Sequence, residues 1–236
     1  MTRHRRVASG PPGTSIREPD DMRNILLAAC TGLALLSTTA LADDVADGEK
    51  LYKTKTCVAC HGSKGARPIQ TYPSLAGQNE KYILTQLQDI KSGKRVASKD
   101  PVTGHPYTEG MAAVMHLLNE DDLKKIAKYL AAQAPAKPKP IDPAPSVEDL
   151  ANGAAAYKKL GCVACHGVDG KKASVPTYPN LAGLQRDYLV RQMTDMRDGL
   201  RVNGQSKLML NIIKKADDAA IASLATYLSQ IDRTAK

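Results

Sequence analysis

The sequence predicts an all-α protein made of two tandem small helical domains, and three observations carry that prediction. The string Cys-Val-Ala-Cys-His-Gly occurs twice, at 57–62 and 162–167, a spacing of 105 residues. Each copy contains segments whose apolar residues recur at the spacing of a helix face, and the Gly- and Pro-rich stretches between them hold no convincing strand. A segment with five prolines, 135–145, lies between the copies; it favours extended polyproline II and is expected to hold the domains apart. A chain of 236 residues accommodates two units of roughly 100 each.

In chain order, residues 1–21 are polar, rich in Arg, Pro and Gly, and carry no fold signal, so they read as an extension ahead of a start at Met22. Residues 22–42 have the anatomy of a secretory signal peptide: a short positive start, an apolar stretch over 25–36, and Ala40-Leu41-Ala42 as the cleavage site. The apolar stretch is short for a membrane span and is interrupted by Thr and Ser, which disfavours a retained anchor. Cys30 superficially suits a lipoprotein cleavage site, but cleavage there would leave an unexplained apolar run behind it, so it is read as lost with the signal. Export to the periplasm follows, with the first domain at 43–134, the linker at 135–145 and the second domain at 146–236.

Each domain is expected to open with a short helix, over 47–53 and over 152–159, followed directly by the cysteine motif. A middle helix is expected over 79–91, where Ile83, Leu87 and Ile90 share a face, and over 186–197, where Leu189, Met193 and Met196 do so. Asn119, with Asp122 three residues on, is suited to cap the last helix, whose stripe is Leu123, Ile126, Ala127 and Leu130. Asp217, Ile221, Leu224, Ala225 and Leu228 repeat that design.

The repeat reaches beyond the cysteines. Gly48, Tyr52 and Gly65 match Gly153, Tyr157 and Gly170 at 105 residues. Thr71-Tyr72-Pro73-Ser74-Leu75-Ala76-Gly77 matches Thr177-Tyr178-Pro179-Asn180-Leu181-Ala182-Gly183 at 106, as Tyr82, Gln86, Gly93 and Arg95 match Tyr188, Gln192, Gly199 and Arg201. Met111 pairs with Met209, and Tyr129 with Tyr227, at 98, so the first copy carries eight extra residues between Arg95 and Met111, around 99–105.

Hydrophobic residues make up 42% of the chain, yet it has nine Tyr and neither Phe nor Trp. Aromatic side chains usually dominate core burial, so a domain of about 90 residues without Phe or Trp points to a core completed by a cofactor or cross-link. Eight of the nine tyrosines form four matched pairs, with Tyr107 left over. The formal charge is +9, with the two domains at +2 and +4, which suits anionic partners. No dense basic run with interleaved aromatics occurs, which argues against nucleic acid.

Cys-x-x-Cys-His is the attachment signature of c-type haem: two thiols placed to bond the porphyrin vinyl groups and an adjacent imidazole placed to ligate iron. A thioredoxin-like redox pair, a zinc ligand pair and a disulfide framework compete with that reading. The redox reading lacks a βαβ pattern and leaves His61 and His166 without a role, and neither copy supplies further zinc ligands at short spacing. Cys57, Cys60, Cys162 and Cys165 are therefore expected to hold two covalently bound haem c groups, with His61 and His166 as one axial ligand each. A filled sixth position makes an electron carrier, whereas an open one binds substrate. Met111 and Met209 are the candidates to fill it, each on a loop after the middle helix and at the same offset from the last helix. Met115 aligns with Ile213 and reads as core, as do Met193 and Met196; His105 and His116 remain alternative ligands without a counterpart in the second copy. The Tyr-Pro-x-Leu-Ala-Gly loops are expected to pack against the haem, and Arg95 and Arg201 either to pair with its propionates or to lie solvated.

With these motifs in place, residues 44–232 resemble the tandem dihaem class I cytochromes c, and most closely the cytochrome c4 family. The resemblance implies two class I cytochrome c domains packed with their haems close together, with axial pairs His61/Met111 and His166/Met209. It also implies that Gly48 meets Tyr129, and Gly153 meets Tyr227, where the first and last helices cross. The function implied is electron transfer without substrate chemistry, from a cytochrome bc complex or other dehydrogenase to a terminal oxidase or reductase, with loose membrane association allowed. Two alternatives are the dihaem cytochrome subunit of a dehydrogenase such as flavocytochrome c sulfide dehydrogenase, and a haem enzyme with one open or bis-His site. The extra residues near His105 and the Pro-rich linker depart from the family pattern.

Overall fold

The computed structural model describes residues 43–69 and 71–235. The chain divides into two units at Leu41 and Ala42, and these residues belong to the second; the predicted extension and signal segment, with Cys30, lie outside the described residues. Among the described residues the fold is helical, and the one β feature is an isolated antiparallel bridge between Lys99 and Pro106.

The first lobe contains α1 over 43–54, α2 at Cys57–His61, a 3₁₀ turn at Ser63–Gly65, α3 at Glu80–Lys91, α4 at Glu109–Met115 and α5 at Glu120–Ala131. The second repeats the order with α6 at Val147–Lys159, α7 at Val163–His166, α8 at Arg186–Arg197, α9 at Ser206–Ile213 and α10 at Asp218–Ser229. The caps explain several starts. Asn119 Oδ1 accepts from Asp122 N at 2.9 Å while Asp122 Oδ2 accepts from Asn119 N at 3.0 Å, and Asp217 Oδ1 accepts from Ala220 N at 2.8 Å. The opening helices run longer than expected. In α6 the reason is a capping box formed by Ser146 and Asp149, which moves its start upstream of the expected 152.

Two glycines let the first and last helices of each lobe cross in backbone contact. A Cβ at Gly48 would lie 2.1 Å from Lys125 O, and one at Gly153 would lie 2.3 Å from Ser223 O, so no other residue fits without displacement. Tyrosines close each crossing: the Tyr52 and Tyr129 rings are 5.5 Å apart, and Tyr157 and Tyr227 are 6.1 Å apart. The cores gather the predicted stripes. Ile83, Leu87 and Ile90 of α3 pack with Leu123, Ile126 and Leu130 of α5, and Leu189, Met193 and Met196 pack with Ile221, Leu224 and Leu228. Met115 and its repeat partner Ile213 are both fully buried in these cores.

The linker does not hold the lobes apart. Matched polar loops meet directly: Ser74 N donates to Gln185 Oε1 at 2.8 Å, Asn180 N to Gln78 Oε1 at 2.7 Å, and Gln78 Nε2 to Asn180 O at 2.8 Å. Arg233, beyond α10, donates to Ala76 O at 3.0 Å and Gly77 O at 3.1 Å, and burial pushes its pKa down to about 10. Buried Gln78 and Asn180 must find partners, and each lobe supplies the other's.

Candidate functional site

The turn after each cysteine motif is fixed from the opening helix. Tyr52 Oη donates to Gly62 O at 2.7 Å and Tyr157 Oη to Gly167 O at 2.8 Å, each anchoring the residue that follows the histidine. The histidines are anchored in turn by the Tyr-Pro loops. His61 Nδ1 lies 3.0 Å from Pro73 O, and His166 Nδ1 lies 2.9 Å from Pro179 O. A carbonyl only accepts, so Nδ1 carries the proton and the lone pair is on Nε2. His61 Nε2 is buried and has no hydrogen-bond partner. Burial lowers the pKa of both imidazoles, against the opposing pull of the proline carbonyls, so both stay neutral. A neutral imidazole with Nδ1–H held by a carbonyl and a bare buried Nε2 is the arrangement of a metal-ligating histidine.

The first thiol of each motif is not set up as a redox nucleophile. Burial raises the pKa of Cys57 and pushes that of Cys162 up to about 11, the reverse of the depressed value that makes a thiolate nucleophile. Cys57, Cys60, Cys162 and Cys165 are free thiols, and among the described residues no group of three His, Cys, Asp or Glu side chains converges as a zinc site would require. Two thiols one helical turn apart and a buried imidazole are the donor set that c-type haem takes, and the orphaned His61 Nε2 fits its iron.

Each lobe has a cavity beside its histidine. In the second lobe a cavity of about 240 Å³ is lined by Cys162, Cys165, His166 and Met209. In the first, a cavity of about 100 Å³ is lined by His61, Tyr72, Pro73 and Met111, while Cys57 packs against the lobe's core. The candidate methionines thus share a cavity with the candidate histidines. They stand on α4 and α9, not on loops. The sequence reading missed these helices because they are short and each begins after a Gly- or Pro-containing bend. His105 and His116 are exposed, and His105 Nδ1 sits 2.8 Å from Glu109 Oε2, away from the cavity.

The two cavities share a wall. Tyr82 and Gln86 of α3, and Tyr188 and Gln192 of α8, line both. Arg95 Nη2 donates to Tyr188 Oη at 3.2 Å and to Gln192 Oε1 at 2.9 Å, while Arg201 Nη2 donates to Tyr82 Oη at 3.3 Å and to Gln86 Oε1 at 3.0 Å. Neither arginine is solvated surface. Burial opposes ionisation of Tyr188, but the guanidinium groups of Arg95 and Arg201 outweigh it and lower its pKa. The sequence marked Tyr82/Gln86 and Tyr188/Gln192 only as matched positions of the repeat on the middle helices, with no role for the glutamines. Their signal was there: identical polar residues repeat on helices whose apolar stripes already account for the core.

The cytochrome c family profile matches residues 45–134 and 150–232. Cytochrome c4 of Pseudomonas aeruginosa is 32% identical over 212 residues, covering 88% of this chain and 98% of that protein. A relative from Stutzerimonas stutzeri named as a thiosulfate dehydrogenase electron acceptor is 29% identical over 84% of this chain and 90% of its own length. Among solved structures, reduced recombinant cytochrome c4 from Pseudomonas stutzeri superposes with a TM-score of 0.63 at 29% identity, covering 77% of this chain and 96% of that one.

Proposed function

The chain belongs to the cytochrome c family, among the cytochromes c4, and from that premise we propose that it is a periplasmic dihaem electron carrier between respiratory proteins. It transfers electrons and makes or breaks no substrate bonds. Cys57 and Cys60 would bond one haem c and Cys162 and Cys165 the other, and His61 with Met111, and His166 with Met209, would hold their irons. When bound, each haem supplies one-electron exchange between ferric and ferrous iron. The protein's part is to orient and insulate. Pro73 O and Pro179 O fix the imidazole tautomer, the thioethers of Met111 and Met209 favour the ferrous state, and apolar walls exclude water. The observation that carries this reading is the buried, unpartnered Nε2 of His61 in a cavity that Met111 also lines.

Optical spectra of the purified protein test it. Two low-spin haems with the methionine-sulfur charge-transfer band are expected, and Met111→Ala and Met209→Ala should each remove about half of that band. A high-spin or bis-histidine haem in the unaltered protein, or loss of the band in Met115→Ala, would refute the ligand assignment. A second reading, the electron acceptor of a dehydrogenase, is favoured by the relative of that name and predicts copurification with such an enzyme. No helix among the described residues is long and apolar enough to cross a membrane.

A further inference from the structure

The repeat that pairs Tyr82 with Tyr188 and Gln86 with Gln192 also pairs Thr85 with Arg191, and Tyr107 with Gln205 once the extra residues 99–106 are set aside. At these two positions the resemblance between the cavities fails. Arg191 belongs to α8 of the second lobe but lines the cavity of the first. Its guanidinium carbon stands 3.8 Å from the centroid of Tyr107, its Nη2 donates to Thr71 O at 3.2 Å, and its Nη1 to Thr71 Oγ1 at 3.4 Å. The extra residues deliver the ring: they leave and return through the Lys99–Pro106 bridge, and Tyr107 N donates to Ser98 O at 3.1 Å. In the second lobe's cavity Thr85 and Gln205 hold the corresponding places.

The charge content differs accordingly. The first cavity is lined by two guanidinium groups, Arg95 and Arg191, and the Nε of each is buried without a hydrogen-bond partner. The second is lined by one, Arg201, whose Nε donates to Asn203 Oδ1 at 3.4 Å. Asp187, Asp195 and Asp198 line the groove next to Arg191 and Asp100 feels its charge, but among the described residues no carboxylate oxygen comes within 4.0 Å of Arg95 or Arg191. Unpartnered buried N–H groups of this kind match an anionic oxygen, and a haem brings carboxylates.

We infer that Arg191 is a positioning residue that acts across the lobe boundary, placing in the first lobe's haem site a second positive charge that the other site lacks. The inference rests on the reading that each cavity holds a haem. A fixed cation stabilises ferrous iron relative to ferric, because the ferric site carries one more positive charge. Arg191 therefore raises the first haem's potential and makes the two haems inequivalent.

An optically followed redox titration of the full-length, haem-loaded protein tests this, with the two waves assigned in a Met111→His background. Arg191→Thr, which installs the residue of the matched position, should lower the first lobe's wave, changing its ferrous-to-ferric ratio at fixed potential by about five- to tenfold, and leave the second in place. Arg191→Lys should restore most of the difference. Thr85→Arg should raise the second wave and decides the matter independently if Arg191→Thr does not fold. An unmoved first wave, or equal shifts of both, with haem content and sulfur band retained, would overturn the inference. Absence of covalent haem from the unaltered protein would instead overturn the proposed function, and the inference with it.

Discussion

The two lobes carry the same chemistry but close around it differently. In the first, α1 and α5 are stitched by charge: Lys125 Nζ lies 3.0 Å from Asp47 Oδ2, and Lys128 pairs with Asp44. In the second, no ion pair joins α6 to α10 among the described residues; α10 buries Ile221, Leu224, Ala225 and Leu228, and Thr226 accepts from Arg186 Nε at 3.0 Å. What the lobes share is the cysteine motif, the carbonyl-held histidine and the glycine crossing. Those features position the site; the surrounding means of closing the helices are interchangeable.

The largest contrast is in cavity size. The second lobe's cavity measures about 240 Å³ against about 100 Å³ in the first, so losing a haem would bare more apolar wall in the second lobe. Whole domains are stable by only about 5–15 kcal/mol. The double change Cys162→Ser with Cys165→Ser should therefore remove one covalent haem and unfold the second lobe, while Cys57→Ser with Cys60→Ser should leave more residual helix. Haem-to-protein ratio and thermal melts by circular dichroism measure this, and equal losses would break the contrast.

The glycine crossings should show no contrast. Gly48→Ala and Gly153→Ala each force a carbonyl and a tyrosine Cβ apart, at a cost of about 1–3 kcal/mol or more, read as a lowered midpoint of the affected lobe in denaturant. A much smaller cost in one lobe would mean that its helices have room to separate. Tyr52→Phe and Tyr157→Phe should each cost about 1 kcal/mol, the value of one hydrogen bond to the turn after the histidine. The smallest effect is electrostatic, and in the first lobe it comes from carboxylates paired with lysines. Hydrogen bonding to Lys128 holds Asp44 below its ordinary pKa, and Lys53 does the same for Glu49. A depressed carboxylate stabilises the fold above the ordinary carboxylate range and loses that contribution as pH falls through its lowered value. Thermal midpoints should therefore drop slightly in acid or at high salt for the first lobe, and Lys128→Ala should abolish that part of the dependence.

The sequence made the cofactor motif, the duplication and the long helices legible, because each rests on local pattern. α8 occupies 186–197 as expected, α3 starts one residue late at Glu80, and the Asn119 cap is present. What escaped was non-local. Seven residues of α4 are too few for periodicity to show, so Met111 read as a loop residue. Arg95 and Arg201 offered no hint that they bond across the lobe boundary, since their partners there lie 93 to 119 residues away. The proline linker argued for separation, but stiffness sets how a segment spans and not what its ends then touch.

The shared wall of Tyr82, Gln86, Tyr188 and Gln192 bears on how such a chain changes over generations. Cutting the linker would not return two ancestral carriers; it would give two sites, each missing part of its lining. Once duplicated halves borrow walls from one another, the duplication is no longer reversible. Each half then drifts against its twin, and a substitution that refits one site is tried at once in the other.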